Sequence, residues 1–148
     1  MLYPEDKCKE PTITYELIED VSEEVIPLEQ AKDYMGIDFD DFDLMITKLI
    51  KAVRKNFERW TGLSIGMRKI KVIGDYTSEL AYMPFEPITE KDGDLQTVGY
   101  TSSNCDEDLV DAMLNVIHTA FENRADIKFN ISDLCQLASK GFRRRVGI

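Results

Sequence analysis

The clearest pattern of apolar and polar positions lies between Ile26 and Gly62, where it predicts a short helix, a tight acidic turn and a long helix. In the short helix Pro27 suits the first position, because its missing N–H would have no partner there. Gly36 is expected to end that helix, since glycine adopts the left-handed conformation without a Cβ penalty. The chain is therefore expected to turn after Met35.

The long helix is predicted by apolar residues at three- and four-residue steps, which form one wide stripe. The stripe consists of Phe42, Met45, Ile46, Leu49, Ile50, Val53, Phe57 and Trp60. Asp40 is the expected N-cap, and Phe39 and Leu44 are expected to pack together across the entry turn. Gly62 ends the helix, which would be roughly 30 Å long at 1.5 Å per residue. We place Leu49, Val53, Phe57 and Trp60 in the core.

Between Met67 and Tyr100 short alternating runs replace the helical period and predict a small antiparallel β insertion. Asp92-Gly93 supplies turn chemistry for a hairpin. Four of its apolar residues, Ile70, Val72, Leu80 and Tyr82, belong either to a docking loop or to a strand shared between subunits. Residues 13–18 also alternate, and they predict an extended arm with one edge strand.

The helical period returns after Asn104, which is placed to cap a third helix with Glu107 three residues on. Its apolar stripe is Leu109, Ala112, Met113, Val116, Ile117, Ala120 and Phe121, of which Met113, Val116 and Ile117 are assigned to the core. Asn130 or Ser132 is expected to cap a last helix that ends near Gly141.

Together these elements predict a mainly α fold: a four-helix domain with a small antiparallel β insertion between the second and third long helices. A length of 148 residues fits one domain over 1–148. Within it we distinguish an acidic arm at 1–25, the β insertion at 67–100 and a basic tail at 143–148.

Charge is distributed unevenly along the chain. The formal net charge is −10, with −11 in residues 1–43 and +1 in residues 44–148. Simple duplex-DNA binding is disfavoured, because it needs cations that face phosphates. No apolar run approaches the roughly 20 residues of a membrane helix, and the N-terminus lacks a signal-peptide core, so we expect synthesis in the cytosol and no membrane partner. Cys8, Cys105 and Cys135 are too far apart to indicate a disulfide framework or a CxxC metal site.

The sequence contains no motif that indicates catalysis. The aspartates at positions 38, 40, 41 and 43 could ligate a cation, but helix capping is the simpler explanation for them. His118 has no nucleophile or carboxylate at motif spacing, which favours a packed or surface histidine over a catalytic base. GxGxxG, P-loop, HExxH and GxSxG patterns are absent. We expect no enzyme activity, no cofactor and no metal.

Two basic groups are candidates for assembly contacts. Lys48, Lys51, Lys55 and Arg59 lie on the face of the long helix opposite its apolar stripe, where they meet DNA, meet an acidic neighbouring subunit, or simply face solvent. The second group is Lys140 with Arg143, Arg144 and Arg145 at the chain end. It either reaches a partner protein, a neighbouring copy or DNA, or is a disordered tail.

The order of these signals resembles the small head-to-tail connector, or adaptor, proteins of long-tailed bacteriophages and related prophages. The opening segment IPLEQAKDYMGID at 26–38 is similar to the first helix of that family. The long helix ends in the similar sequence Glu58-Arg59-Trp60-Thr61-Gly62, and Tyr82-Met83-Pro84-Phe85-Glu86-Pro87 resembles a Leu-Pro-x-x-Pro element. The third helix closes in the similar triplet Glu122-Asn123-Arg124, which adds Arg124 to the candidate assembly residues.

The resemblance implies a structural virion protein without enzyme activity. Family members form a ring of identical subunits, with about twelve-fold symmetry, that docks on the portal protein. The ring joins head to tail, receives a tail or stopper protein, and extends the channel through which genomic DNA passes without sequence-specific binding. Assembly in the bacterial cytoplasm and a final place at the head–tail interface of the virion are implied too.

Two other function classes remain open at the level of sequence. The first is an acidic protein-protein interaction module, which binds a host factor or mimics DNA and has no role in a virion. A DNA mimic displays carboxylates over much of its surface, and the near-neutral charge of residues 44–148 disfavours it. The second is an enzyme, which would need a pocket that the sequence does not indicate.

Overall fold

The computed structural model describes residues 14–74 and 85–142, and it has a strand, two helices, three strands and two helices in chain order. These are β1 (Thr14–Glu19), α1 (Leu28–Met35), α2 (Asp43–Thr61), β2 (Arg68–Ile73), β3 (Ile88–Asp92), β4 (Leu95–Val98), α3 (Glu107–Glu122) and α4 (Ile131–Ala138). A 3-10 turn at Lys140–Phe142 follows α4.

The prediction of a mainly α fold with a β insertion between the second and third long helices is wrong. Helix makes up about 45% of the described residues and strand about 19%, so the fold is α+β. Its antiparallel sheet has the order β1-β2-β4-β3 and includes a strand that precedes every helix. Glu16 stands opposite Lys71 and Glu19 opposite Lys69 across β1 and β2. Such opposite-charge pairs favour this register, so the acidic arm contributes an integral strand.

The predicted edge strand in the arm is confirmed, because β1 lies at one edge of the sheet. The alternation in the β segment is confirmed in β2, where Ile70 and Val72 point to the buried side while Lys71 is exposed. The Asp92-Gly93 turn is confirmed too: it begins the connection from β3 to β4, and Gly93 has φ 61°. Leu80 and Tyr82 lie outside the described residues.

The four helices pack against one another around an apolar core. α2 and α3 pack on each other, and both α1 and α4 pack on that pair. Among the residues assigned to the core, Val53, Phe57, Met113, Val116 and Ile117 are buried, and Leu49 and Trp60 are half-buried against them. The apolar stripes of α2 and α3 therefore face each other.

The predicted helix ends are partly correct. Gly36 and Gly62 end α1 and α2 in the left-handed conformation, with φ 73° and 76°. Pro27 stands at the N-cap of α1, one residue before its predicted place. Asn130 caps α4, where its side chain accepts hydrogen bonds from two backbone N–H groups. Asp106 caps α3 in place of Asn104, because α3 begins at Glu107.

A tight backbone crossing links the helices to the sheet just after α2. The N–H of Ser64 donates to the Glu86 carbonyl at 2.7 Å, and the Ser64 carbonyl accepts from Tyr100 N–H at 3.0 Å. Gly99 passes so close that a Cβ there would lie 1.9 Å from the Gly66 carbonyl oxygen. With φ 114° as well, position 99 accommodates only glycine.

The sheet has its own small apolar cluster. Ile70, Val72 and Val98 are its buried members, and Phe85 and Ile88 pack against them. Every residue of β1 is exposed. The sheet therefore adds little buried apolar area of its own.

Candidate functional site

An open groove runs between the first half of α2 and the segment that joins α3 to α4, with a volume of about 730 Å³. Its lining is Asp41, Phe42, Leu44, Met45, Lys48, Leu49, Ala52, Ala120, Asn123, Arg124, Asp126, Phe129 and Ile131. Leu44 is 70% exposed and Met45 39%, although both side chains are large and apolar. Exposed apolar surface gathered in a groove is typical of a protein-docking site. We call this surface the docking groove.

Arg124 is held in place at the wall of the docking groove. Its guanidinium lies 4.3 Å from the centre of the Phe121 ring and 4.9 Å from that of Phe42. It also donates a hydrogen bond to the Phe121 carbonyl at 2.8 Å. These contacts keep a cation at the rim and leave the aromatic rings beneath it ordered. The arginine of the Glu122-Asn123-Arg124 triplet therefore shapes the groove.

Four basic residues of α2 form one continuous exposed face, which we call the lysine face: Lys48, Lys51, Lys55 and Arg59. They lie opposite the buried side of the helix, which carries Ile46, Ile50, Val53 and Phe57. No carboxylate in the part of the chain that the structure describes forms an ion pair with any of the four. Lys48 also lines the docking groove, so the two surfaces are adjacent.

Two aspartates at the start of α2 bind a lysine instead of capping the helix. Lys32 Nζ lies 2.9 Å from Asp40 Oδ1 and 2.8 Å from Asp43 Oδ1. The two carboxylates hold the pKa of Lys32 above its usual range. The predicted Asp40 cap is therefore wrong, and α2 begins later, after Phe42. Leu44, which was expected to pack on Phe39, is 70% exposed and lines the groove.

A buried ionic network, which we call the charged junction, connects the sheet to α2. It contains Asp20, Glu24, Arg54, Glu58 and Arg68. Arg54 is 4% exposed and Arg68 7%. Arg54 donates to Glu24 at 2.7 Å and to Glu58 at 3.0 Å, while Arg68 donates to Glu58 at 2.9 Å. Glu58 thus bridges a helical arginine and a strand arginine.

Burial opposes the positive charge of Arg54, but the hydrogen bond to Glu24 and the attraction of Glu58 hold its pKa above its usual range. Arg68 also stacks 4.7 Å above the centre of the Phe85 ring. Buried arginines with fixed carboxylate partners orient two elements relative to each other. The charged junction is therefore a structural connection between the layers.

His118 and the cysteines occupy surroundings that fit structural roles. His118 Nε2 lies 3.0 Å from Glu122 Oε1, and its ring meets Tyr34 edge-on at 5.9 Å. Burial raises the pKa of the Cys105 thiol to about 11 and that of Cys135 to about 12. Both thiols are therefore poor nucleophiles near neutral pH. No group of three or more histidine, cysteine or acidic side chains in residues 14–74 and 85–142 is placed to hold a metal ion.

Several residues of these surfaces were not predicted from the sequence. Ile127 is 98% exposed beside the docking groove, and Phe129 and Ile131 line it, but all three lie in a stretch without apolar periodicity. Arg54 did carry a signal, because a cation next to Val53 on the buried side of α2 requires a buried partner. Lys140 is exposed after α4, whereas Arg143, Arg144 and Arg145 lie outside the described residues.

No helix among the described residues is long and apolar enough to cross a membrane. Comparisons of the chain with protein-family models, with curated proteins and with solved structures gave no match.

Proposed function

We propose that this chain is a subunit of a bacteriophage head-to-tail connector: a ring of identical copies that docks on the portal, joins head to tail and extends the DNA channel. The proposal starts from the resemblance of residues 26–148 to that family. The observation that carries it further is the docking groove, an open apolar surface on an otherwise charged protein. A subunit whose work is assembly needs such a surface.

The groove has the form that suits a helical partner. It lies between a helix and the loop beyond a second helix, and it offers apolar side chains at Leu44, Met45 and Leu49 along one side. Lys48 and Arg124 add positive charge to the rim, and Asp41 and Asp126 add negative charge. An amphipathic helix of the portal protein could place its apolar side against the apolar side chains of the groove and its charged side against the rim.

The acidic interaction module is the alternative from a different class. A DNA mimic presents carboxylates in the place of phosphates, and the exposed lysine face works against that resemblance. The exposed cations of α2 fit a protein that meets both acidic and basic surfaces during assembly. We therefore favour the connector over the mimic.

The direct test is to image the full-length chain by electron microscopy, alone and with portal rings from the same genome, and to weigh it by native mass spectrometry. The expected result is a ring of this protein seated on the portal. Monomers alone are compatible with the proposal, because docking and assembly can be coupled. Failure to bind the portal at any salt or protein concentration would overturn it.

The docking groove can be tested separately with two matched substitutions. Leu44→Glu places a charge in the groove, and Leu137→Glu places the same charge on α4, where Leu137 is 64% exposed outside the groove lining. Both should leave stability within about 0.5 kcal/mol of the wild type, because both sites are exposed. Portal binding should weaken by about tenfold or more with Leu44→Glu alone. Equal binding by both variants would remove the groove from the mechanism.

A further inference from the structure

We infer that the lysine face of α2 binds an acidic surface built by α1 and α3 on a second copy of this chain, so that copies associate head to tail through charge. This inference rests on the proposed function, because it names the contact between neighbouring subunits of the ring. The partner surface is formed by Glu29, Asp33, Asp111 and Glu122, and we call it the acidic face.

The four cations of the lysine face form no ion pair with any residue in the ranges 14–74 and 85–142. Its four cations follow one another at steps of three and four residues over Lys48 to Arg59, which corresponds to roughly 16 Å of helix. The acidic residues of α2 point elsewhere: Asp43 binds Lys32, and Glu58 binds the two buried arginines. The face therefore presents an excess of positive charge, although Asp20 and Glu58 line the same hollow as Lys55 and Arg59.

The acidic face has the opposite composition. α3 contains four acidic residues and no lysine or arginine over Glu107–Glu122, and its exposed side carries Asp111 and Glu122. The contact between Tyr34 and His118 places α1 beside the middle of that side. The exposed Asp33, which precedes Tyr34, thus adds negative charge where α3 itself has only Asn115 and His118.

The two faces look in opposite directions, and this decides the kind of assembly. α2 and α3 pack together through their buried sides, while the lysine face and the acidic face lie on the far side of each helix. A surface that binds a different surface on the next copy makes a heterologous contact, which repeats until it closes a ring or extends a filament. A two-fold dimer through either face alone would bring like charges together.

Duplex DNA is the other polyanion that a lysine face attracts. The net charge of −10 repels DNA at long range, and the acidic face presents a ready-made complement on every copy. We therefore assign the lysine face to the neighbouring subunit, and binding to DNA becomes an outcome of the test.

The experiment reverses two charges on each face in the full-length chain. Lys51→Glu with Lys55→Glu cancels the net charge of the lysine face, because Lys48 and Arg59 remain. Asp33→Lys with Asp111→Lys cancels the net charge of the acidic face, because Glu29 and Glu122 remain. All four sites are exposed, so both variants should fold. Association is measured by sedimentation and native mass spectrometry over a concentration series, alone and on portal rings, at about 0.05 M and about 0.5 M salt.

Each variant alone should associate about tenfold more weakly than the wild type, or not at all. An equal mixture of the two should regain association between unlike variants, because the unchanged acidic face of the first meets the unchanged lysine face of the second. Lys91→Glu with Lys128→Glu is the control, since it makes the same change of charge at exposed sites away from the lysine face and should behave as wild type.

The outcomes separate this inference from the proposed function. Rings that persist unchanged in both reversal variants overturn the charged contact and leave the connector role intact. A mixture that associates no better than either variant alone also overturns the charged contact. So does a control variant that associates as weakly as the two variants. Wild-type affinity for a duplex-DNA probe that is lost in Lys51→Glu with Lys55→Glu, while association is unchanged, assigns the face to DNA instead. A wild-type chain that stays monomeric under all conditions, with and without portal rings, overturns both proposals.

Discussion

The helical layer and the sheet of this protein are stabilised in different ways. The helices share one large apolar cluster, in which Phe57, Ile46 and Ile65 are fully buried. The sheet buries three apolar residues, Ile70, Val72 and Val98, and is tied to α2 by the charged junction. Apolar burial is non-directional, whereas ion pairs and hydrogen bonds fix orientation. The helices are thus stabilised mainly by buried apolar area, whereas the orientation of the sheet is fixed by a few ion pairs and hydrogen bonds.

This difference teaches where substitutions should matter. A core of many contacts loses free energy in proportion to the volume that is removed, so its largest member should give the largest effect. A junction of five charged residues depends on each partner, because a buried charge left alone is costly.

Phe57→Ala should lower the free energy of unfolding by about 3–5 kcal/mol, because Phe57 is fully buried in the helical cluster. Urea unfolding measures the loss, and hydrogen exchange shows whether the amides of β2 lose protection together with those of α2. If the amides of β2 stay protected while those of α2 lose protection, the sheet is stable without the helical core, and the difference described between the two layers is wrong. Phe39→Ala, at a residue 46% exposed, is the control and should cost much less.

Glu58→Gln should lower the free energy of unfolding by about 3 kcal/mol, since it leaves Arg54 and Arg68 without their shared buried carboxylate. The same change at Glu122, an exposed carboxylate paired with His118 on the surface, should cost less than about 1 kcal/mol. Urea unfolding of both variants provides the measurement. Equal losses would mean that the charged junction is no more than a surface contact.

Ile70→Ala should lower the free energy of unfolding by about 2 kcal/mol, near the small end of the range for such truncations. Ile70 is fully buried, but its cluster is small and its neighbours can relax toward the vacated space. Chemical unfolding compared with Phe57→Ala checks the difference between the layers. A loss as large as that of Phe57→Ala would contradict the expected difference between the two layers.

Asp20→Asn should have the smallest effect, less than about 1 kcal/mol at neutral pH, because Asp20 is 60% exposed in its ion pair with Arg68. The hydrogen bond from the Val21 N–H, helped by Arg68, holds the pKa of Asp20 below its usual 3.8. A carboxyl with a depressed folded-state pKa stabilises the protein above its unfolded pKa and loses that effect as pH falls through the folded value.

The stability difference between wild type and Asp20→Asn should therefore be constant from pH 7 to about pH 5 and should shrink as the pH falls through the folded-state pKa of Asp20, below its usual 3.8. Unfolding curves over this range measure it, with Glu90→Gln at an exposed sheet position as the control. A difference that grows as the pH falls would contradict the assignment of Asp20 to the charged junction.

The sequence indicated the helical layer far better than the sheet. The stripes of α2 and α3 repeat over several turns, and glycines such as Gly36 and Gly62 mark helix ends through a local conformational need. The sheet depends on pairings between distant segments, and the six residues of β1 alternate over too short a span to show where they pair.

The candidate surfaces were predictable to a similar, partial extent. The lysine face followed from helical spacing alone. The docking groove did not, because it is formed where the exposed Leu44 lines one side and where an aperiodic loop returns against α2. The Asp40 cap failed for a related reason: Lys32, eight residues earlier, competes for the carboxylate with a full positive charge.

The pairing of β1 with β2 also has a consequence for the order in which the chain is made. Thr14 stands opposite Ile73, so the first strand emerges from the ribosome 59 residues before its partner. During that interval α1 and α2 are synthesised, and Lys32 can already bind Asp40 and Asp43 nearby. We expect the helical hairpin to form first, with β1 remaining extended until β2 arrives. Glu16 and Glu19 keep that waiting strand charged and resistant to aggregation.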